Sequence, residues 1–107
     1  MRFSDFFGRA VGEEGQNVPA PDQTRELVLY ASRTCGYCHR VQAHLDRSGL
    51  EVLTRDIRVE PSAREDLIAK TGRGQVPCLF IDGQALFESA DIMDWLSRYA
   101  EHAAQRP

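Results

Sequence analysis

A cysteine pair with a two-residue gap, Cys35-Gly36-Tyr37-Cys38, follows directly on an apolar run, Leu27-Val28-Leu29-Tyr30-Ala31, and leads into a segment with helical patterning that reaches Ser48. That arrangement constrains the chain more than any other feature. The free amides and the dipole at a helix N-terminus favour a thiolate, which is the reactive form of cysteine. The short gap lets one sulfur attack and the other resolve. Cys35 is expected to be the exposed nucleophile. Cys38 falls on the inward stripe with Val41 and Leu45 and is expected to be the more buried. Structural zinc also uses such pairs, but it takes four ligands, often from two of them. The remaining cysteine is Cys78, and His39, His44 and His102 lack ligand spacing. The residues therefore favour redox chemistry, and no structural metal is expected.

The length of 107 residues suits one domain. Three cysteines are too few for a disulfide scaffold and leave one thiol over, which suits a reducing compartment. A net charge of −3 gives no reason to expect nucleic-acid binding. No apolar run is long enough to span a membrane, and Asp5, Gly8 and Arg9 break the N-terminal stretch that a signal peptide would need. A cytoplasmic protein is expected.

Phe3, Phe6, Phe7, Ala10 and Val11 recur at helical spacing, so Met1 to Val11 reads as a short amphipathic helix, expected to pack on the domain or fray rather than anchor to a membrane or partner. Gly12 to Gln23 reads as a linker. Residues 1–23 thus form an N-terminal extension and residues 24–107 the working domain. Within it, Glu26 to Ala31 is a strand and Cys35 to Ser48 a helix closed by Gly49. Glu51 to Ile57 is a second strand, parallel to the first. Pro61 opens a second helix with Ala63, Leu67 and Ile68 inward, and Gly72 follows it. Two apolar runs, 78–81 and 85–87, flank the turn dipeptide Asp82-Gly83. Ser89 reads as the cap of a last helix with Ile92, Trp95, Leu96 and Tyr99 on one stripe.

The order β-α-β-α-β-β-α, with the cysteine pair after the first strand and Val76-Pro77 before the third, resembles a thioredoxin-like domain of the glutaredoxin family across residues 26–100. Thr34-Cys35-Gly36-Tyr37-Cys38 resembles the family's T-C-P-Y-C, Thr71 to Pro77 its T-G-x-x-T-V-P segment, and Phe80-Ile81-Asp82-Gly83 its F-I-x-G hairpin. The resemblance implies an α/β fold with a mixed four-stranded sheet flanked by helices. Four departures stand out. Gly36 replaces the usual proline, and Ser32 replaces a lysine three residues before the first cysteine. Phe87-Glu88 replaces Gly-Gly and, with Ser89, is similar to the Glu-Ser motif of the N-terminal domain of glutathione transferases. The helical second domain of a transferase is missing.

What the resemblance implies is a glutathione-dependent thiol–disulfide oxidoreductase with Cys35 and Cys38 as catalytic residues. Glutathione is the co-substrate, and glutathionylated or disulfide-bonded proteins are the partners. Val76 and a cis Pro77 would face the cysteinyl part of glutathione, with Val76 pairing like an added strand. Ser89 would take the γ-glutamyl carboxylate at a helix N-terminus and Glu88 the ammonium, with Asp91 a weaker candidate. Arg73 aligns with the position that contacts the glycine carboxylate, with Arg33 and Arg40 as other sources of charge, and Tyr37 would pack beside the sulfur. Cys78 is either core or a third redox thiol, and core packing is the expectation.

Two rival readings accompany this one. Gly36 relaxes the loop in a way that could admit a [2Fe–2S] cluster shared by two protomers, with Cys35 and glutathione as ligands; the chain would then be a dimer rather than a monomer. The alternative is a non-catalytic glutathione-binding or interaction module docking through Phe3, Phe6 and Phe7.

Overall fold

The computed structural model describes residues 17–105. Its elements are β1 (Leu27–Ala31), α1 (Gly36–Ser48), β2 (Leu53–Asp56), α2 (Pro61–Thr71), β3 (Cys78–Ile81), β4 (Gln84–Phe87) and α3 (Ser89–Gln105). The amphipathic segment expected over Met1 to Val11 lies outside the described residues. The strands form one mixed sheet in the order β2-β1-β3-β4. β1 runs parallel to β2, and β3 is antiparallel to both β1 and β4. This is the α/β, thioredoxin-like arrangement expected from the sequence.

Side-chain alternation along β1 divides the core in two. Leu29 and Ala31 face α1 and α3, joining Cys38, Val41, Leu45, Leu79, Ile81, Ile92 and Leu96. Tyr30 faces α2 and joins Ala63, Leu67, Cys78, Phe80 and Phe87. Arg55 fastens α2 to the sheet. Its Nη1 donates to the Tyr30 hydroxyl at 3.0 Å and to Asp66 at 2.7 Å, and its Nη2 pairs with Glu60 at 3.0 Å.

Helix ends follow local chemistry. Gly49 and Gly72 close α1 and α2 at φ 77° and 84°, a left-handed conformation that glycine adopts without a Cβ clash, and Pro61 opens α2. Asp82 and Gly83, both at positive φ, make the two-residue turn between β3 and β4. The Asp82 carboxylate also accepts from the Glu26 N–H at 2.8 Å and from Arg25 at 3.2 Å, which pins the start of β1 to the hairpin.

Three local details differ from the sequence reading. β2 is shorter than Glu51 to Ile57, because Leu50 and Val52 pack against the core without pairing and the Asp56 carbonyl turns the chain by accepting from Val59 and Glu60. α1 begins one residue later, with Cys35 as its cap. α3 is capped by Glu88, not Ser89: the Glu88 carbonyl accepts the first helical bond, from Ile92, and Ser89 is the first helical residue. Before β1, the Trp95 indole donates to the Pro19 carbonyl at 2.8 Å, the Arg25 N–H donates to the Tyr99 hydroxyl at 3.1 Å, and Val18 packs on the core. Residues 17–25 are thereby held along α3.

Candidate functional site

The parallel β1–β2 pair ends beneath the N-terminus of α1, and this junction carries both cysteines. Cys35 caps the helix through its sulfur, which accepts the Cys38 N–H at 3.3 Å. Cys35 is half-buried, whereas Cys38 is 1% exposed. All three cysteines are free thiols.

Ser32 organises the loop before Cys35 and is itself buried. Its N–H donates to Cys38 Sγ at 3.4 Å, its carbonyl accepts from the Cys35 N–H at 3.1 Å, and its hydroxyl accepts from the Thr34 N–H at 3.2 Å. Every polar group of Ser32 thus serves the redox loop. Side-chain burial of a serine was not readable from its place between Ala31 and Arg33.

Cys35 Sγ lies 4.0 Å from the Val76 carbonyl oxygen, across a cis Val76-Pro77 bond. Beyond it opens a cleft of about 290 Å³ lined by Tyr37, Gln75, Val76, Pro77, Glu88 and Ser89. Five of the residues singled out in the sequence therefore come together from three places in the chain: Tyr37 from α1, Val76 and Pro77 from the approach to β3, and Glu88 and Ser89 from the start of α3. Glu88 sits at φ 76°, a left-handed conformation unusual for a residue with a Cβ. Gln75 was missed by sequence reasoning; its only signal was adjacency to Val76-Pro77.

Arg73 does not line this cleft. Its guanidinium carbon lies 4.3 Å from the centroid of the Phe87 ring, a cation–π contact. Arg40 rests 5.4 Å from the Tyr37 centroid, and Arg33 pairs with Asp56 at 3.5 Å. Asp91 follows within the first turn of α3. Gly36 is the first residue of α1, and a Cβ there would meet nothing within 4 Å.

Burial pushes the Cys38 thiol up from 9.0 to about 12, helped by the hydrogen bond and charge of Cys35 and the charge of Asp56, and opposed by the Ser32 N–H. Burial likewise pushes Cys78 from 9.0 to about 12, against the Leu86 N–H and the Arg73 charge. Cys78 is fully buried beside Phe80 and Phe87, which makes it core packing. Both folded values exceed the ordinary one. The stability they contribute is therefore complete below pH 9.0 and falls as pH rises toward about 12. Urea midpoints of the reduced protein across that window should drop, and Cys78→Val should shallow the drop. A flat profile would show that these thiols ionise freely in the native state.

Comparison with known proteins agrees with this geometry. A glutaredoxin family model matches residues 27–86. Glutaredoxin 3 of Escherichia coli strain K12 is 39% identical over 66 residues, covering 62% of this chain and 80% of that protein. The crystal structure of a buckwheat glutaredoxin–glutathione complex superposes with a TM-score of 0.57 at 26% identity, covering 75% of this chain and 81% of that one. A trimeric glutathione transferase of Leishmania superposes with a TM-score of 0.57 at 27% identity, covering 69% of this chain but 17% of its own. Among the described residues, no helix is long and apolar enough to cross a membrane. With the family model spanning β1 through most of β4 and the paired thiols at the head of α1, the chain belongs to the glutaredoxin family of thiol–disulfide oxidoreductases.

Proposed function

We propose that this protein uses glutathione to reduce protein–glutathione mixed disulfides and protein disulfides, with Cys35 as nucleophile and Cys38 as resolving thiol. The observation that carries this reading is the cleft from Tyr37 to Ser89, which adjoins Cys35 through Val76. The buckwheat relative supports it, since that structure is a complex with glutathione.

In the monothiol route the Cys35 thiolate attacks the glutathione sulfur of a mixed disulfide. The protein thiolate leaves and takes a proton, and Cys35 becomes glutathionylated. A second glutathione thiolate then attacks that sulfur, freeing Cys35 and forming glutathione disulfide. In the dithiol route Cys35 attacks a protein disulfide, and Cys38 displaces the substrate by forming the Cys35–Cys38 disulfide. Two of the influences that hold Cys38 protonated come from the Cys35 sulfur, through its hydrogen bond and its charge. Both weaken once that sulfur is in a mixed disulfide, so Cys38 becomes easier to ionise at the step that needs its thiolate.

Val76 pairs with the glutathione backbone, Ser89 and the amides of α3 take the γ-glutamyl carboxylate, and Glu88 takes the ammonium. Arg40 and Arg73, each resting on an aromatic ring, supply charge for the glycine carboxylate. The relatives that this chain matches support the thiol–disulfide reading and do not favour the cluster-carrier alternative. Three free thiols suit work in a reducing compartment such as the cytoplasm.

The test is reduction of a glutathionylated peptide with NADPH and glutathione reductase. Turnover should saturate with glutathione, and Ser89→Ala should raise the KM for glutathione roughly tenfold, the equivalent of about one charge-assisted hydrogen bond. Turnover independent of glutathione, or none, would overturn the reading.

A further inference from the structure

Each dithiol turnover must take a proton from Cys38, which is 1% exposed and faces away from bulk water. A second cavity touches this residue. It holds about 240 Å³ and is lined by Ala31, Ser32, Arg33, Cys38, His39, Gln42, Thr54 and Asp56. The proposed glutathione cleft draws instead on the approach to β3 and the start of α3, with β1 lying between β2 and β3. The cavity therefore opens on the β2 side of the redox loop, apart from the cleft. The cavity is open to solvent, and Arg33, His39, Gln42, Thr54 and Asp56 along its largely apolar walls give entering water polar partners.

Four ionisable side chains reach this cavity: Arg33, Cys38, His39 and Asp56. A guanidinium does not accept a proton. The Asp56 carboxylate is already engaged, accepting from the Arg58 N–H at 2.8 Å and the Arg33 N–H at 3.1 Å and forming an ion pair with Arg33 Nε at 3.5 Å. These donors, with Arg58 the strongest, hold it below the usual carboxylate range and make it a poor base. His39 differs. Its Nε2 lies 2.6 Å from the Arg33 carbonyl oxygen. A carbonyl only accepts, so Nε2 carries the hydrogen and Nδ1 of the neutral ring keeps a free lone pair.

We propose that His39 receives the proton Cys38 gives up when it resolves a mixed disulfide, through the water of the cavity that both residues line. The Cys38 S–H bond breaks and its proton passes to the imidazole. The sulfur's electron pair then forms the bond to Cys35 Sγ, and the bond from Cys35 to the substrate sulfur breaks. The substrate leaves as a thiolate that takes a proton from solvent, and His39 returns its own proton to solvent. Sulfur oxidation states exchange between substrate and Cys38, with no outside oxidant. Asp56 and Arg33, which line the same cavity, bear opposite charges and form an ion pair, so an imidazolium there meets no isolated like charge. The bond to the Arg33 carbonyl fixes the ring.

This inference rests on the dithiol route proposed above, and one experiment separates the two. Protein glutathionylated at Cys35 is prepared with glutathione disulfide, and glutathione release on closure to Cys35–Cys38 is followed by rapid quench and mass spectrometry. His39→Ala should slow closure roughly 100-fold, the lower end of what general acid–base groups contribute. Added imidazole should restore the rate in proportion to its concentration. His39→Gln, whose amide can still donate to the Arg33 carbonyl but takes no proton, should be as slow as alanine. Unchanged closure in His39→Ala, a slow variant that imidazole does not rescue, or recovery in His39→Gln would overturn the role of His39 while leaving the dithiol route standing. A wild-type protein that never closes would overturn both.

Discussion

Cys35→Ser should reduce turnover of mixed disulfides and protein disulfides by at least about 1000-fold, the scale on which loss of an enzyme nucleophile is felt. A hydroxyl at this position would accept the same N–H from Cys38 that the sulfur accepts at 3.3 Å, so the loop would persist. What disappears is the thiolate, since a hydroxyl does not ionise appreciably near neutral pH. Cys38→Ser is the informative partner. It leaves the Cys35 sulfur, the Val76 contact and the cleft in place, so the monothiol route should survive while protein disulfides are no longer resolved. Steady-state rates on a glutathionylated peptide and on a protein disulfide, measured for both variants, read out the split. Equal loss in both variants on both substrates would mean that Cys35 does not act alone in any step.

Leu79→Ala should destabilise the fold by about 2–5 kcal/mol, the range for removing a buried leucine side chain and leaving a cavity. Leu79 is wholly inaccessible, on a strand hydrogen-bonded on both edges, and packs among Leu29, Val41, Ile92 and Leu96 under α1 and α3. A rigid sheet cannot close over the vacated space. With native stabilities near 5–15 kcal/mol, the change consumes a large share of the margin and should lower Tm by more than ~10 °C. Leu53 provides the contrast. It is 63% exposed on β2, and its change to alanine should stay within about 0.5 kcal/mol. Urea unfolding of both variants gives the comparison, and similar losses would mean that Leu53 is covered in solution.

The elements legible in the sequence are those with local causes. The run Leu27 to Ala31 is apolar because β1 lies inside the sheet, packed on both faces. Pro61, Gly49, Gly72 and Asp82-Gly83 each impose a backbone geometry that no distant contact needs to supply. The cysteine pair marked the head of α1 for the same reason. Features that depend on partners far along the chain were hidden. β2 was drawn too long because Val52 and Ile57 look like strand residues, while what ends pairing is the turn at Asp56. Glu88 as the cap of α3 was obscured because nothing in a glutamate announces a positive φ. The cleft residues were named from separate motifs, and only the fold brings Tyr37 within one hollow with Glu88, fifty-one positions later. The cavity joining His39 to Asp56 had no motif at all, since it arises from β2 lying beside β1 under α1.

The left-handed backbone at Glu88 also bears on how this position can vary. The residue holds two posts at once, as the turn from β4 into α3 and as a wall of the cleft. Side chains that branch at Cβ are strongly disfavoured at φ 76°, whereas glycine enters freely and asparagine or aspartate at small expense. Drift in a lineage is thereby channelled: charge at this wall can be shortened to aspartate, neutralised to asparagine or erased to glycine, but valine, isoleucine and threonine are closed to it. The backbone, rather than any ligand, sets the alphabet from which this wall of the cleft is written.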